Sequence, residues 1–295
     1  MIEVIAAGPY ATVQDLGRPG HAHLGVPCSG AADAPSLRLA NRLVGNPEGA
    51  AGIELTFGGA RLRFTAGAWV SVAGADCPLE VVVDGTTVRP AMLAPFWVPP
   101  LGELRVAFPR AGLRTYVAVR GGLDTPMVLG SRSTDSLSGL GPAPLGVGDR
   151  LPVGPAGHLP ALTVDAAPPV SSSAASREVL RVVAGPRDDW FAPGALRALC
   201  AQPYVVSQDS NRVGVRLGGG APLPRARPGE LPSEGVVTGA VQVPPDGLPI
   251  VFLADHPPTG GYPVIAVLTS ACLPVAAQLR PGDRVRFLLE RLPPL

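Results

Sequence analysis

Polar side chains and adjacent glycines in the second half of the chain are suited to binding a small amide or acid. Gln242 lies in a strand-like segment, and its amide both donates and accepts hydrogen bonds. Adjacent glycines leave backbone N–H groups bare, and a nest of such groups binds carboxylate or carbonyl oxygens. We therefore predict a small-molecule site here. Its predicted members are Gln242, Thr259, Gly260, Gly261 and Tyr262.

Two further groups of residues have side chains suited to binding an anion. Gln14, Asp15 and Arg18 lie in a glycine-bounded loop of the first half, and Arg212 lies in the second half. An arginine fork binds carboxylates in bidentate fashion. Two alternatives stay open: Asp15 and Arg18 can simply pair with each other, and Arg212 can be neutralised by a carboxylate of the protein. The glycines of the second half can likewise have no role other than forming turns.

The composition excludes several chemistries. All 24 basic residues other than histidine are arginine, and the formal net charge is +1. Without lysine the chain can form no Schiff base, no Walker-type phosphate site and no covalent biotin attachment. The absence of a basic tract argues against nucleic-acid binding. His21 and His23 near Cys28 lack further ligands, so we predict no metal site. No histidine stands in a persuasive nucleophile–base arrangement, and the catalytic residues stay unassigned.

The spacing of the cysteines and the hydropathy of the chain indicate the cellular compartment of the protein. The four cysteines are dispersed without C-x-x-C spacing, as expected of unpaired thiols in a reducing compartment. The chain opens on a strand-like run instead of a signal peptide, and no apolar run reaches the length of a membrane span. These features predict a cytoplasmic protein that does not enter a membrane.

The elements that must position these residues are mostly strands. Glycine and proline total 73 residues and punctuate short apolar runs, a pattern typical of barrels and sandwiches. The clearest helix runs from Asp33 to Val44, with Asp33 as N-cap and Gly45 after its end. A buried strand is predicted from Leu248 to Ala254. The predicted fold class is therefore mainly β with a few short helices.

The chain divides into two strand-rich halves. The run 145–150, Leu-Gly-Val-Gly-Asp-Arg, is echoed by the run 279–284, Leu-Arg-Pro-Gly-Asp-Arg, near the end of the second half. Between the halves lies a stretch rich in proline, alanine and serine, a composition that suits a linker. We predict one domain over 1–155, a linker over 156–177 and a second domain over 178–295.

Several motifs in this order make the sequence resemble the allophanate hydrolase subunit 2 / KipA family, whose members are similar to biotin-dependent carboxyltransferases. The matching stretches are 12–20 (TVQDLGRPG), 25–33 (GVPCSGAAD), 39–46 (LANRLVGN), 130–134 (GSRST), 233–235 (SEG), 239–247 (GAVQVPPDG) and 259–263 (TGGYP). The resemblance extends over nearly the whole chain, and it implies two cyclophilin-like β-barrel domains.

The resemblance also implies a function. The expected activity is that of a subunit of an ATP-dependent 5-oxoprolinase, most like its C subunit, acting with a KipI-like B subunit and an A subunit. ATP would then act at the level of the complex, on a small amide or lactam substrate. Two alternatives are a carboxyltransferase component of a biotin-dependent urea carboxylase or allophanate system, and a KipA-type regulatory binding protein. The absence of lysine is compatible with either enzyme, because a partner would carry the biotin.

Overall fold

The strands of the chain fall into two separate units. The computed structural model describes residues 1–163, 166–168, 179–227, 229 and 231–290. The first unit takes residues 1–18, 29–135 and 139–170, and the second takes 19–28, 136–138 and 171–295. Most of the predicted linker after residue 163 lies outside the described residues. The predicted domain boundaries stay predictions.

The first unit contains strands β1 to β11 and helix α1. The strands are β1 Ile2–Ala7, β2 Tyr10–Gln14, β3 Gly52–Thr56, β4 Ala60–Phe64, β5 Ala68–Asp76, β6 Leu79–Val83, β7 Thr86–Val88, β8 Phe96–Val98, β9 Glu103–Val106, β10 Ala111–Val119 and β11 Arg150–Leu151. The helix α1 is Ala34–Leu43. A short 3₁₀ turn at Ala22–Leu24 is grouped with the second unit.

Two antiparallel sheets enclose the core of the first unit. One sheet has the order β11-β1-β4-β9-β6-β7, and the other has the order β2-β3-β10-β5-β8. Alternate residues of both sheets, such as Leu62, Leu104, Ile53 and Val117, meet in one apolar cluster with almost no exposure. Burial of that aliphatic surface stabilises the unit without disulfides, in keeping with a chain poor in aromatic residues.

Helix α1 forms as its sequence predicts. The Asp33 side chain accepts hydrogen bonds from the Ser36 backbone N–H at 3.1 Å and from the Ser36 hydroxyl at 2.7 Å. Leu37 and Ala40 face Tyr116 and other residues of the second sheet in a smaller apolar cluster. The N-cap and the apolar stripe therefore fix both the start of the helix and the face that it buries.

The second unit contains nine strands and two α-helices among its described residues. The strands are β12 Val179–Ala184, β13 Tyr204–Val206, β14 Gly214–Gly218, β15 Glu234–Gly235, β16 Ala240–Gln242, β17 Ile250–Phe252, β18 Thr259–Gly260, β19 Val264–Leu268 and β20 Arg284–Leu289. The helices are α2 Ala195–Ala201 and α3 Leu273–Ala277. Short 3₁₀ turns lie at Asp188–Trp190 and Ser270–Cys272.

Seven strands of the second unit close into a barrel, in the order β12-β19-β16-β17-β14-β13-β20. β12 and β20 pair in parallel, whereas the other barrel pairs are antiparallel. The interior is filled by residues such as Leu180, Val241, Ile265 and Phe287. β15 and β18 form a separate two-stranded sheet, and this small sheet carries Thr259 and Gly260.

The echoed six-residue runs adopt the same turn. In the first unit the Gly146 N–H donates to the Asp149 carboxylate at 2.8 Å, and Gly148 has a φ of +91°. In the second unit the Arg280 N–H donates to the Asp283 carboxylate at 2.8 Å, and Gly282 also has a φ of +91°. Each turn leads directly into a strand, β11 or β20. The echo is thus a repeated structural element, with glycine at the left-handed position.

The predicted fold class, mainly β with a few short helices, is confirmed. In the second unit seven strands form a closed barrel. The predicted strand over Leu248–Ala254 is shorter in the structure, because only Ile250–Phe252 pairs in the barrel. The preceding turn ends at Gly247, whose φ is +76°. Within the described parts of the chain the longest helix has ten residues, too few to span a bilayer.

Candidate functional site

Asp15 organises the loop that follows β10 in the first unit. Its carboxylate accepts hydrogen bonds from the Ser131 hydroxyl at 2.6 Å, the Ser133 hydroxyl at 2.5 Å and the Arg132 backbone N–H at 2.7 Å. The Gly17 N–H donates to it as well, at 2.8 Å. The residue is 8% exposed. Four donors therefore occupy the carboxylate, and its evident role is to hold residues 131–133 in place.

Gln14 and Arg18 bind the backbone of the same loop. The Gln14 amide nitrogen donates to the Thr134 carbonyl at 3.0 Å, and the Arg18 guanidinium donates to the Ser133 and Val128 carbonyls. Arg18 also approaches the Asp135 carboxylate at 4.0 Å. Asp15 and Arg18 do not pair with each other in this arrangement. Each holds the loop by a different set of contacts. Two guanidinium nitrogens of Arg18 donate to backbone carbonyls, whereas its buried Nη1 has no hydrogen-bond partner among the described residues.

A cavity of about 310 Å³ opens beside this loop within the first unit. Asp15, Gly130, Arg132, Asp124 and His158 are among its lining residues. Arg132 donates to the Asp124 carboxylate, yet its buried Nε has no hydrogen-bond partner among the described residues. The cavity is large enough for a small polar molecule, and the loop that Asp15 holds supplies one of its walls.

We expect Asp15→Asn to lower the free energy of unfolding by about 2 kcal/mol. Asparagine keeps one acceptor oxygen, but its NH₂ group would face the hydroxyl and N–H donors that now bind the carboxylate. Urea denaturation measures the loss. Asp124→Asn is the matched control, because its carboxylate is 57% exposed and an exposed pair contributes at most about 1 kcal/mol. Equal losses for the two variants would contradict this role of Asp15.

Arg212, a predicted anion ligand, forms a buried ion pair in the second unit. Its Nε and one terminal nitrogen each contact an oxygen of the Asp255 carboxylate at 2.9 Å. Asp255 also accepts from the Ser136 backbone N–H at 3.0 Å and from its hydroxyl at 2.6 Å. The alternative that a protein carboxylate neutralises Arg212 is therefore the arrangement observed, and binding of a ligand by this fork stays a prediction.

Opposing effects set the pKa of Asp255. Burial by itself raises that pKa, because the charged form loses its hydration. The positive charge of Arg212 and the hydrogen bonds from Arg212 and Ser136 act more strongly together. They hold the pKa of Asp255 below its ordinary value. The carboxylate is therefore ionised at neutral pH, as the bidentate geometry requires.

Gln242 contacts Gly260 and Tyr262 in the second unit. The Gln242 amide nitrogen donates to the Tyr262 carbonyl at 2.9 Å. A Cβ placed on Gly260 would lie 2.8 Å from that nitrogen, so a larger residue there would displace the amide. The Gln242 Oε1 has no hydrogen-bond partner among the residues that the structure describes. An acceptor is thereby held in fixed orientation beside a tyrosine that is 40% exposed.

The glycines act differently from the predicted nest. Gly260 pairs with Glu234 in the small β15–β18 sheet. A nest alternates right- and left-handed backbone conformations, and neither Gly260 nor Gly261 is among the glycines with positive φ. The Gln242 amide instead packs closely against the backbone of Gly260. Thr259 pairs with Gly235 and remains exposed, so its hydroxyl is open to solvent.

His256 faces the Thr238 hydroxyl in the same unit. Its Nδ1 lies 2.8 Å from the Pro257 carbonyl, and its Nε2 lies 3.1 Å from the Thr238 oxygen. A carbonyl only accepts, so Nδ1 carries the proton and Nε2 accepts from the hydroxyl. Burial lowers the pKa of His256, although the Pro257 carbonyl and the neighbouring Asp255 carboxylate act in the opposite direction. The structure thus brings one histidine to a hydroxyl group, a pairing that the sequence analysis did not anticipate.

The predicted residues thus fall into two groups. Gln14, Asp15 and Arg18 share one loop system of the first unit, and Gln242 meets the 259–262 segment in the second. Sequence reasoning missed four polar residues of the second unit. They are Ser136, Thr238, Asp255 and His256. The adjacent Asp-His pair directly after an apolar run was the available signal. No group of three or more possible ligand side chains in the described ranges is arranged to hold a metal ion.

Comparison with known proteins defines the family. The family model described as the carboxyltransferase domain, subdomain A and B, matches residues 24–289. The chain therefore belongs to the carboxyltransferase domain family, as the motifs predicted.

Individual relatives are similar over nearly all of this chain. It is 37% identical to the C subunit of 5-oxoprolinase from Escherichia coli strain K12, over 98% of this chain and 91% of that protein. It is 33% identical to urea amidolyase of Lachancea kluyveri, over 97% of this chain but 17% of that protein. The crystal structure of TTHA0988 superposes with a TM-score of 0.83 at 36% identity, over 97% of this chain and 55% of that one.

Proposed function

We propose that this chain is a subunit of an ATP-dependent 5-oxoprolinase, which converts 5-oxo-L-proline to L-glutamate together with partner subunits. The observation that carries the proposal is the extent of the similarity to a separate subunit. The chain matches 91% of the C subunit of the E. coli 5-oxoprolinase, whereas it matches only 17% of the L. kluyveri urea amidolyase. Similarity over nearly the whole of a 5-oxoprolinase subunit therefore supports the first activity more than that of urea amidolyase.

The geometry of the second unit supports recognition of a lactam. The Gln242 Oε1 is suited to accept the lactam N–H, and the Tyr262 hydroxyl is accessible to the same ligand. Arg225 lies beside this strand, since its guanidinium donates to the Val243 carbonyl at 2.8 Å. Its buried Nε has no partner among the described residues. Arg225 is thus better placed than Arg212 to bind the substrate carboxylate.

The proposal includes the partners and ATP. The partner subunits are a KipI-like B subunit and a 5-oxoprolinase A subunit, and ATP acts at the level of the complex. No biotin is attached to this chain, because the chain has no lysine. A cytoplasmic location is part of the proposal. The four thiols form no disulfide, as expected in a reducing compartment.

A second candidate function is carboxyl transfer to urea or a similar amide. The match to urea amidolyase and to the carboxyltransferase domain family favours it. In that case a biotinylated partner protein would bring the carboxyl group. A regulatory KipA-type binding protein is the third possibility, for which no turnover would accompany complex formation.

The test of the proposal is a reconstituted assay. The A and B subunits are incubated with 5-oxo-L-proline and ATP, first without this chain and then with it, and glutamate and phosphate are measured. We expect turnover only when the chain is present. Turnover that is equally fast without it would contradict the proposal. Carboxylation of urea with a biotinylated partner would establish the second candidate instead.

The residues of the proposed site are tested in the same assay. We expect the double variant Gln242→Ala/Thr259→Ala to lose about 100-fold in kcat/KM, because the lactam loses its hydrogen-bonding partners. Gln202→Ala is the matched control. That glutamine also bonds backbone groups of the second unit, at Ala221, but lies outside the proposed site. Unchanged turnover of the double variant would show that the site assignment is wrong.

A further inference from the structure

Thr238 and His256 combine a buried base with the hydroxyl of a partly buried residue. His256 is 6% exposed and its ring stacks on Phe252 at 5.6 Å between centroids. Thr238 is only partly buried. The Nδ1 proton is committed to the Pro257 carbonyl, so the lone pair of Nε2 points at the Thr238 oxygen. The Thr238 hydroxyl is therefore the polar side-chain group next to the acceptor nitrogen of the imidazole.

Backbone hydrogen bonds hold together the two segments that carry Thr238 and His256. The Gly239 N–H donates to the Phe252 carbonyl at 2.9 Å, and the Val236 N–H donates to the Pro258 carbonyl at 2.9 Å. The segment 236–239 is thereby fixed along the segment that carries His256. A fixed donor–acceptor distance is what proton transfer requires.

Gly260 lies between the amide of the proposed site and the segment that carries Thr238. The Cβ position of Gly260 lies 2.8 Å from the Gln242 nitrogen and 3.4 Å from a methyl group of Val236. Val236 is two residues before Thr238 in the segment 236–239. This segment therefore runs past Gly260, on whose other side the Gln242 amide lies.

We propose that Thr238 and His256 form a proton relay for hydrolysis of an amide or lactam bound at Gln242, an inference that rests on the proposed function. The attacking water gives a proton to Thr238 Oγ while the hydroxyl proton moves to His256 Nε2. The electron pair of the water forms the new C–O bond, and the π pair of the C=O bond moves onto the carbonyl oxygen. When this pair re-forms the C=O bond, the C–N bond breaks and its electron pair stays on nitrogen, which receives the proton back from His256 through Thr238.

The charges around the imidazole suit this transfer. Asp255 is the neighbouring carboxylate that acts on the ring, and it is held by Arg212 and Ser136. Phe252, Pro257 and Thr238 contribute no charge. The neutral imidazole is therefore ready to accept a proton, and the adjacent Asp255 carboxylate stabilises the imidazolium that forms.

The experiment uses Thr238→Val, which keeps the shape and removes the hydroxyl, and Thr238→Ser, which restores it. Thr269→Val is the matched control, because the buried Thr269 hydroxyl has no hydrogen-bond partner among the described residues. In the reconstituted complex we expect Thr238→Val to lower kcat at least about 100-fold, with KM changed less than about threefold. Thr238→Ser and Thr269→Val should stay within about tenfold of the unaltered complex. A kcat of Thr238→Val within about threefold of the unaltered value would overturn the relay.

A second measurement separates the relay from the proposed function. Imidazole ¹⁵N spectra of the full chain report the tautomer of His256 and its titration, without any assay. We expect the Nδ1–H tautomer, a pKa below the ordinary histidine value, and a shift of the Nε2 resonance in Thr238→Val. If the unaltered complex hydrolyses no 5-oxoproline, the proposed function fails. The relay is then overturned as well if His256 carries its proton on Nε2, or if the complex hydrolyses no other lactam or amide in a Thr238-dependent manner. It is supported if the Nδ1–H tautomer and such a Thr238-dependent hydrolysis are both found.

Discussion

Replacing Asp255 by asparagine is expected to lower the free energy of unfolding by about 3–5 kcal/mol. Asp255 is fully buried and Arg212 is 2% exposed, so the substitution removes the countercharge of a guanidinium that water does not reach. It also weakens the two hydrogen bonds from Ser136, because a neutral amide oxygen is a poorer acceptor than a carboxylate.

Urea denaturation, with amide hydrogen exchange of the barrel strands, measures this loss. Asp189→Asn is the matched control in the same unit. Its partner Arg227 lies at 2.7 Å, but the two side chains are 46% and 55% exposed. Exposed ion pairs contribute at most about 1 kcal/mol. A loss below about 1 kcal/mol for Asp255→Asn would show that the buried pair is not a major source of stability.

The same pair predicts how stability depends on pH. The pKa of Asp255 is lower in the folded protein than in the unfolded chain, where it is about 3.9. The folded state therefore binds fewer protons than the unfolded state between the two values. The contribution of Asp255 is fully present above the unfolded pKa and is lost as pH falls through the folded one. We expect the stability difference between the unaltered protein and Asp255→Asn to shrink on acidification below about pH 4.

Gly141→Ala is expected to lower the free energy of unfolding by about 3 kcal/mol. Gly141 has a φ of +81°, and a Cβ there would lie 2.0 Å from the Ser133 carbonyl oxygen. That carbonyl accepts from Arg18, and the Ser133 hydroxyl binds Asp15. The methyl group would therefore displace the loop that Asp15 and Arg18 hold.

Gly139→Ala separates the clash from the backbone conformation. Gly139 has a φ of +72°, but no atom lies within 4 Å of its Cβ position. We therefore expect Gly139→Ala to lower the free energy of unfolding by only about 1–2 kcal/mol, because alanine is strained in the left-handed conformation. Thermal unfolding of both variants measures the difference. Equal losses would show that the Ser133 contact does not constrain position 141.

Much of the fold followed from local sequence. Asp33 and Gly45 marked the ends of α1, because capping depends on neighbours within four residues. The six-residue echo gave the same turn in both units, since an aspartate three residues on can accept the first N–H of the turn. The predicted strand over 248–254 was too long. A strand ends where its hydrogen-bonded partner strands end, and the residues of the strand itself do not reveal that position.

The sequence by itself determined the chemistry that the chain cannot perform and the motifs that place it in its family. The absence of lysine and the run of residues from Gln242 to Tyr262 needed no structure to be recognised. Only the tertiary structure decided which polar groups meet. Arg212 and Asp255 are 43 residues apart, and Asp15 and Ser133 are 118 apart. All four residues lie in loops between strands. Their meeting depends on how the whole core packs, which leaves no mark on either residue's neighbours in the sequence.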